Sequence, residues 1–430
     1  MKKVSFHNLG CKVNSYETEA MIRQFTDHGY LLVDFDEPAD VCIVNTCTVT
    51  GIADRKSRQM LHRAKKLNPD AVVVAAGCYV QADPARCQSD PAIDIIVGND
   101  EKSKIYELVT AMESRTCDIG NVREFEELYV DDTALHTRAF LKVQDGCNQF
   151  CSYCLIPYVR GRVRSRKTES VCEEVKRLAD KGCREVVLTG IHLSSYGTDG
   201  GAAQMGPPLL DLIDAVSRVI GDGRIRLGSL EPRIITPRFV SAIASFDKLC
   251  PHFHLSLQSG CDATLRRMNR HYSTEEYALG CELLRDTYEH PAITTDVIVG
   301  FPGESSEEFE QTAVFLEKID LYEMHVFKYS LRAGTAAERL PGRVPPDIAE
   351  ERSNILLEMS ARHRASFAAY YRDHASRVLL EEKEIREGEE YLTGYNPEYV
   401  RFLVKGEDLC PGDFIDCVPG GETKYLIYEQ

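Results

Sequence analysis

What this 430-residue chain lacks narrows its chemistry first. No apolar run reaches the roughly 18 residues of a membrane-spanning helix. The opening MKKVSFHNLGCKVN has no long apolar stretch of the kind a secretory leader carries. Positive charge is in deficit, with a formal net charge of −16, which argues against a general polyanion binder. A local basic site remains open, because exposed charges more than about 8 Å apart are screened at physiological salt. No internal repeat or low-complexity tract stands out. A cytoplasmic protein is the expectation, and a reducing cytosol makes disulfides the wrong use for cysteine. Yet cysteine is plentiful, at 16 residues, so these thiols need another purpose.

The first hundred or so residues alternate strand and helix. VSFHNLG (4–10), ADVCIVNT (39–46), AVVVAAG (71–77) and IDIIVG (93–98) are short β-branched runs ending in turn residues, with amphipathic helical segments between them. That alternation predicts a parallel sheet covered on both faces over residues 1–112. An acidic polar stretch, 113–135, reads as a linker. The alternation resumes with candidate strands at 138–144, 184–190, 224–230, 252–258, 293–300 and 324–330. Six β/α units predict a partial (β/α)6 barrel over 136–346, since a closed one takes eight. A connecting helix is expected at 347–370, and short strands at 371–430 predict a small all-β barrel.

CNQFCSYC places Cys147, Cys151 and Cys154 just after the first barrel strand, on the face where barrel enzymes carry their chemistry. Three readings compete. A structural zinc site would need a fourth ligand from afar. Plain buried thiols suit a core poorly at this spacing beside Gly146. Iron–sulfur ligation fits three soft thiolates that leave one iron open. A second set is hidden by distance: Cys11, Cys47 and Cys78 are far apart, yet each follows a strand (NLGC, VNTC, AAGC). In a parallel sheet those ends share one edge, where ligands bind. The alternative is three unrelated buried thiols. Cys42, inside its strand, and Cys172, Cys183, Cys250 and Cys281 read as core, and Cys87 and Cys117 lie outside the pattern.

The C-x3-C-x2-C spacing after the first strand of a partial barrel resembles the radical S-adenosylmethionine (SAM) superfamily. LGCKVNSYE, NTCTVT, AAGCYVQ, QDGCNQFCSYCLIPYVRGRVRSR, HFHLSLQSG and LRRMNRHYS together resemble the methylthiotransferases over nearly the full chain. The K-V-N after Cys11 and the HLSLQSG string look most like the branch acting on N6-threonylcarbamoyladenosine. The resemblance implies two [4Fe–4S] clusters, one on each cysteine set, a C-terminal TRAM-like module, and a tRNA substrate. It implies methylthiolation of C2 at position 37 of tRNA, with one SAM as methyl donor and a second as radical source. A flavodoxin or ferredoxin would be the reductant and a monomer the expected state.

Under that resemblance SAM would lie along the barrel strand ends. Tyr153 would sit near the adenine, Gly190 would let the cofactor approach, Ser229 and Glu231 would bond its ribose or amino acid, and Gln258 would offer amide contacts. Asp296 to Gly300, Ile298 included, would form an apolar edge. Each could equally be a packing residue. The family's usual acidic residue after the second strand is not evident in TGIHLSSYG. His252 and His254 alternate on one strand face and read as barrel-lining or packing residues, with a metal pair as the alternative. Arg160, Arg162, Arg164 and Arg166 also alternate and, if extended, would point one way for phosphate contacts; the plain alternative is a solvated loop. Residues 368–430 carry seven Lys/Arg against fourteen Asp/Glu, an odd balance for an RNA-binding module. Tyr391, Tyr395, Tyr399 and Phe402 there suit base stacking or a core. Rival functions are methylthiolation of another tRNA adenosine or of ribosomal protein, a non-catalytic two-cluster electron carrier, and a zinc-holding RNA binder.

Overall fold

The computed structural model describes residues 1–428 except 131–136, 202–203, 387, 407 and 422. The first β-branched runs become β1 (Lys3–Asn8), β2 (Leu31–Val33), β3 (Val41–Thr46), β4 (Val72–Gly77) and β5 (Ile95–Val97). They form one parallel sheet in the order β2-β1-β3-β4-β5. The edge strand β2 is additional to the expected four. Alternation along β3 decides which helix covers which face. Ile43 packs with Met21 and Phe25 of α1 (Lys12–Asp27), while Cys42 and Val44 pack with Leu61 and Ala64 of α2 (Gly51–Leu67). Cys42 is core, as its place inside the strand implied.

The barrel strands are β6 (Arg138–Asp145), β8 (Glu185–Gly190), β9 (Arg224–Leu227), β10 (His252–His254), β11 (Ala292–Val299) and β12 (Glu323–Lys328). β7 (Arg164–Ser165) is a two-residue antiparallel addition on β6. β6, β8 and β9 pair in parallel, as do β10, β11 and β12, and bridges Ile225–Leu249 and Leu230–Leu255 join the two groups into one arc. The expected strand at 252–258 shortens to β10, and its remainder follows β11 through Leu255 N–H to Thr294 O at 2.8 Å. Leu141, Val143, Val186, Leu188, Ile225 and Phe253 face the covering helices in the largest core. Their alternates, among them Arg138, Phe140, Lys142, Glu185, His254 and Asp296, therefore line the lumen. α1 packs along β6, the edge of the arc.

The stretch expected to be a linker is packed instead. Arg115 extends the first sheet beyond β5, and Leu128 and Val130 enter the barrel core. Tyr16 on α1 donates its hydroxyl to Leu128 O at 2.5 Å. Positions 131–135 of that stretch lie outside the described residues. After a helix at Pro346–Ala369 come β13 (Ser376–Arg386), β14 (Glu389–Tyr395), β15 (Arg401–Lys405), β16 (Phe414–Cys417) and β17 (Lys424–Ile427). They form an antiparallel half-barrel ordered β16-β13-β14-β15-β17. Its β14–β15 loop caps the N-terminal ends of the barrel strands. Arg224 donates to Tyr395 O at 2.9 Å, Arg226 to Pro397 O at 2.7 Å, and Arg138 to the Tyr399 hydroxyl at 2.7 Å. Tyr395 and Tyr399 stack on each other at 4.5 Å and serve this junction, while Phe402 is core, so none of the three is a free stacking platform. No helix among the described residues is long and apolar enough to cross a membrane.

Candidate active site between two thiol sets

Register brings the first set together. Asn8 pairs with Asn45 and Thr46 with Gly77, so β1, β3 and β4 end side by side. In a 2-1-3-4-5 sheet the crevice between β1 and β3 is where ligands sit. Asn14 binds the rims, donating to Leu9 O at 2.7 Å and Thr46 O at 3.0 Å. Gly10 has φ +109°, and a Cβ there would meet Cys47 Cβ and Sγ at 3.0 Å, so the backbone keeps clear space against the sulfur. Cys47 and Cys78 are buried and Cys11 is exposed at the mouth. Burial, reinforced by Cys78, pushes the Cys47 thiol up to about 12. Asn99 Nδ2 and Arg160 Nε point at Cys78 Sγ from 3.4 and 3.3 Å.

The second set follows β6. Gly146 has φ +70°, and a Cβ there would lie 1.9 Å from Arg162 O, so only glycine permits this turn. Cys147 is buried; Cys151 and Cys154 are half-buried. Burial pushes Cys147 up to about 11, and burial with Cys151 pushes Cys154 up to about 12. Arg270 Nη1 approaches Cys151 Sγ at 3.2 Å. Among the described residues no three His, Cys, Asp or Glu side chains already converge on a single metal ion. Three soft donors, a glycine-cleared approach and a nearby guanidinium at each set fit an iron–sulfur cluster by donor chemistry. Loading would have to displace the thiol protons.

Three consecutive residues link the surroundings of the two sets. Val159 O accepts from Asn99 Nδ2 at 2.7 Å, Arg160 reaches Cys78, and Gly161 O accepts the Cys147 amide at 3.1 Å. Below this wall lies a buried charge cluster. Glu17 on α1 pairs with Lys102, with Lys142 at 2.8 Å and with Arg160 at 2.5 Å. Asp145 pairs with Lys142 at 2.7 Å and lies 3.3 and 3.5 Å from Arg160 and Arg164. Burial works to raise Asp145, but Lys142, Arg160 and Arg164 outweigh it and hold the carboxyl down at about 2. Burial likewise opposes ionisation of Glu17, and Arg160, Lys102 and Lys142 keep it well below the usual carboxylate range.

This corrects the arginine reading. Arg160, Arg164 and Arg166 are fully buried, and Arg166 is held by Glu174 and, at 2.9 Å, by Glu127. They cannot meet phosphates, because the segment is extended only at Arg164–Ser165 and all three are buried among carboxylates: Arg160 on Glu17 across the domain boundary, Arg164 between Asp100 and Asp145, and Arg166 on Glu174 and Glu127. Arg162 alone of the four is exposed, over the Phe150 ring at 4.7 Å.

The expected SAM contacts separate into groups. Glu231 is buried at the mouth, with Oε1 held by Arg233 Nε at 2.7 Å and Oε2 without a partner. Ser229 is exposed beyond the end of β9. Gln258 adopts φ +73° and ties its backbone to Asp296 O and Ile298 N at 2.8 and 2.9 Å. Asp296 meets His254 Nε2 at 3.3 Å, so it is a paired carboxylate rather than part of an apolar edge. Gly190 clears room for Gln144, whose Cβ would lie 2.8 Å from an added methyl. Tyr153 packs near Phe301, their rings 6.3 Å apart edge-on. His252 and His254 have separate partners, Tyr399 and Asp296, and make no metal pair. Sequence reasoning missed Glu17, Asn99, Arg233, Arg270 and His192. His192 takes the place after β8 where an acidic residue was sought. Burial, then Arg270 and Arg233, pushes it down to about 4, and its Nε2 has no partner.

Residues 3–98 match the uncharacterized protein family UPF0004, and residues 141–316 match the radical SAM superfamily, whose members use SAM and a [4Fe–4S] cluster. The threonylcarbamoyladenosine tRNA methylthiotransferase MtaB of Bacillus subtilis (strain 168) is 40% identical over 416 residues, covering 95% of this chain and 91% of that one. The tRNA-2-methylthio-N(6)-dimethylallyladenosine synthase of Moorella thermoacetica is 38% identical, covering 81% and 80%. In fold, the chain is similar to the radical SAM methyltransferase TsrM from Kitasatospora setae, with TM-score 0.56 and 15% identity over 78% of this chain and 77% of that one. Matched across both its parallel sheet and its barrel, the chain belongs to the radical SAM tRNA methylthiotransferase family.

Proposed function

We propose that the chain adds a methylthio group to C2 of N6-threonylcarbamoyladenosine at position 37 of tRNA, using one SAM as methyl donor and another as radical source. The observation that supports this is the Val159–Gly161 segment, which bonds to Cys78 through Arg160 and to the Cys147 amide through Gly161, so one short stretch links both thiol sets. An electron carrier needs no such juxtaposition around an open barrel mouth. When bound, a cluster on Cys147, Cys151 and Cys154 supplies the electron that cleaves SAM, and one on Cys11, Cys47 and Cys78 carries the sulfur.

The chain's own groups hold the reactants. The unpartnered Glu231 Oε2 accepts the SAM ammonium, taking over from the acidic residue missing after β8. His192, kept neutral, presents Nε2 to the same cofactor. Tyr153 flanks the adenine, with Gln258 and Ile298 along its edge. Arg162 is left as the phosphate contact of the arginine run. A flavodoxin or ferredoxin supplies electrons, and the enzyme works as a cytoplasmic monomer.

Nucleoside mass spectrometry of tRNA from a deletion strain tests the substrate. The methylthio form of threonylcarbamoyladenosine should vanish and return on complementation. Loss of the methylthio form of dimethylallyladenosine instead would move the chain to the other tRNA branch.

A further inference from the structure

Lys12 is the one cation that the N-terminal domain sends toward the barrel lumen without an anionic partner among the described residues. It is the residue after Cys11 and the first of α1. A cation at that position opposes the helix dipole, so helix stability does not explain it. The side chain is exposed, and its contact is with Phe140, the mid-lumen residue of β6, whose ring centre lies 5.9 Å from Nζ. Crowding by the surrounding lumen lowers the ammonium's pKa most, Arg226 and Arg138 on the barrel strands press the same way, and Glu185 and Asp296 oppose them. Each of these is engaged elsewhere. Glu185 is held by Arg224 at 2.5 Å and Arg226 at 2.8 Å, Asp296 by His254 at 3.3 Å, and Arg138 by the Tyr399 hydroxyl. Contrast Glu17, five residues on, whose carboxylate collects three cations. The helix therefore pairs its fully buried charge, Glu17, and leaves Lys12 open beside the sulfur-bearing edge.

We infer that Lys12 is a specificity-determining residue that receives the free carboxylate of an amino acid carried on N6 of the target adenine. This rests on the substrate proposed above. Base chemistry supplies the geometry. The ureido N–H of an N6-carbamoyl amino acid closes a hydrogen-bonded ring onto N1, so the amino acid lies along the N1–C2 edge. A cation next to Cys11 therefore stands next to the carboxylate whenever C2 faces the N-terminal thiols. Phe140 beneath the ammonium supports it through the ring face and keeps water from one side. An apolar N6 substituent would leave the cation unpaired, which discriminates against it.

The test uses the reconstituted holoenzyme and anticodon stem-loop RNA carrying threonylcarbamoyladenosine at position 37, as the free acid or as its methyl ester. Wild type should prefer the acid by about tenfold or more, the size of one charge-assisted hydrogen bond. Lys12→Gln should erase that preference, mostly by raising KM for the acid, and Lys12→Arg should keep it. Iron per chain and the thermal midpoint check that Lys12→Gln is folded and loaded; if it is not, Lys12→Met carries the same comparison. Full acid preference in the neutral variants overturns the inference and leaves the substrate intact. Equal use of acid and ester by wild type also overturns it. A wild type that methylthiolates dimethylallyladenosine RNA and ignores both threonylcarbamoyl RNAs overturns the substrate and the inference together.

Discussion

The two ends of the barrel are built from similar residues to opposite ends. At the bottom, Glu185 sits among Arg138, Arg224 and Arg226, and the C-terminal half-barrel lays the Tyr395–Tyr399 loop over them. Burial would raise Glu185, but Arg226 and Arg224 drive it far below the carboxylate range. At the top, Glu231 has a free oxygen, His192 a free nitrogen and Cys151 and Cys154 partial exposure. Charges paired with one another hold a fold together, although even at the bottom Arg224 Nη1 and Glu381 Oε1 lack hydrogen-bond partners; free atoms beside accessible thiols suit a ligand. The acidic C-terminal module belongs to the first kind, which explains how it can dock here while carrying net negative charge.

The strongest break in this contrast is chemical. Replacing Cys147, Cys151 and Cys154 together by Ala should abolish 5′-deoxyadenosine formation, while the parallel variant at Cys11, Cys47 and Cys78 should retain part of it and lose methylthio transfer. Assaying both products side by side decides this, and full transfer by the second variant would remove sulfur from the role of the first sheet. Next in size is Glu185→Gln, which strands three arginines at the bottom. It should destabilise by about 3–5 kcal/mol in urea titration, with iron per folded chain unchanged. A loss confined to cofactor binding would contradict the division between the two ends.

The interdomain cluster should show as acid sensitivity. Asp145 has a depressed folded pKa, so its contribution is complete above the unfolded value near 3.8 and is lost as pH falls toward about 2. A shift of that size corresponds to about 2 kcal/mol, and Glu17 adds in the same direction. Stability measured from pH 5 to 2 should fall more steeply in wild type than in Asp145→Asn. The smallest effect is expected where nothing is buried. Arg218→Ala removes an exposed pair with Asp214 and should change stability by no more than about 0.5 kcal/mol. A large loss there would mean that exposure is a poor guide in this molecule.

Much of this was legible because it is local. β-Branched runs ending at Gly10, Thr46 and Gly77 marked three strand ends, and parallel pairing was enough to align the cysteines after them. The arginine run misled for the same reason. Alternation from Arg160 to Arg166 describes one face only of an extended strand, yet just two residues are extended, and the partner that fixes Arg160 is Glu17, 143 positions away. No local pattern reports such a partner. Leu128 and Val130 were lost in a polar stretch, because two apolar residues carry no period. The Asp296–His254 pair was likewise invisible, since each residue alone suits a lumen position.

The segment Val159–Gly161 also constrains traffic. A swing that parted the first domain from the barrel would tear Asn99 from Val159 and Arg160 from Cys78 and Glu17 in one motion. Opening the two halves like a door would therefore cost these buried contacts all at once. An exchange path past the rim loops would leave all three contacts intact.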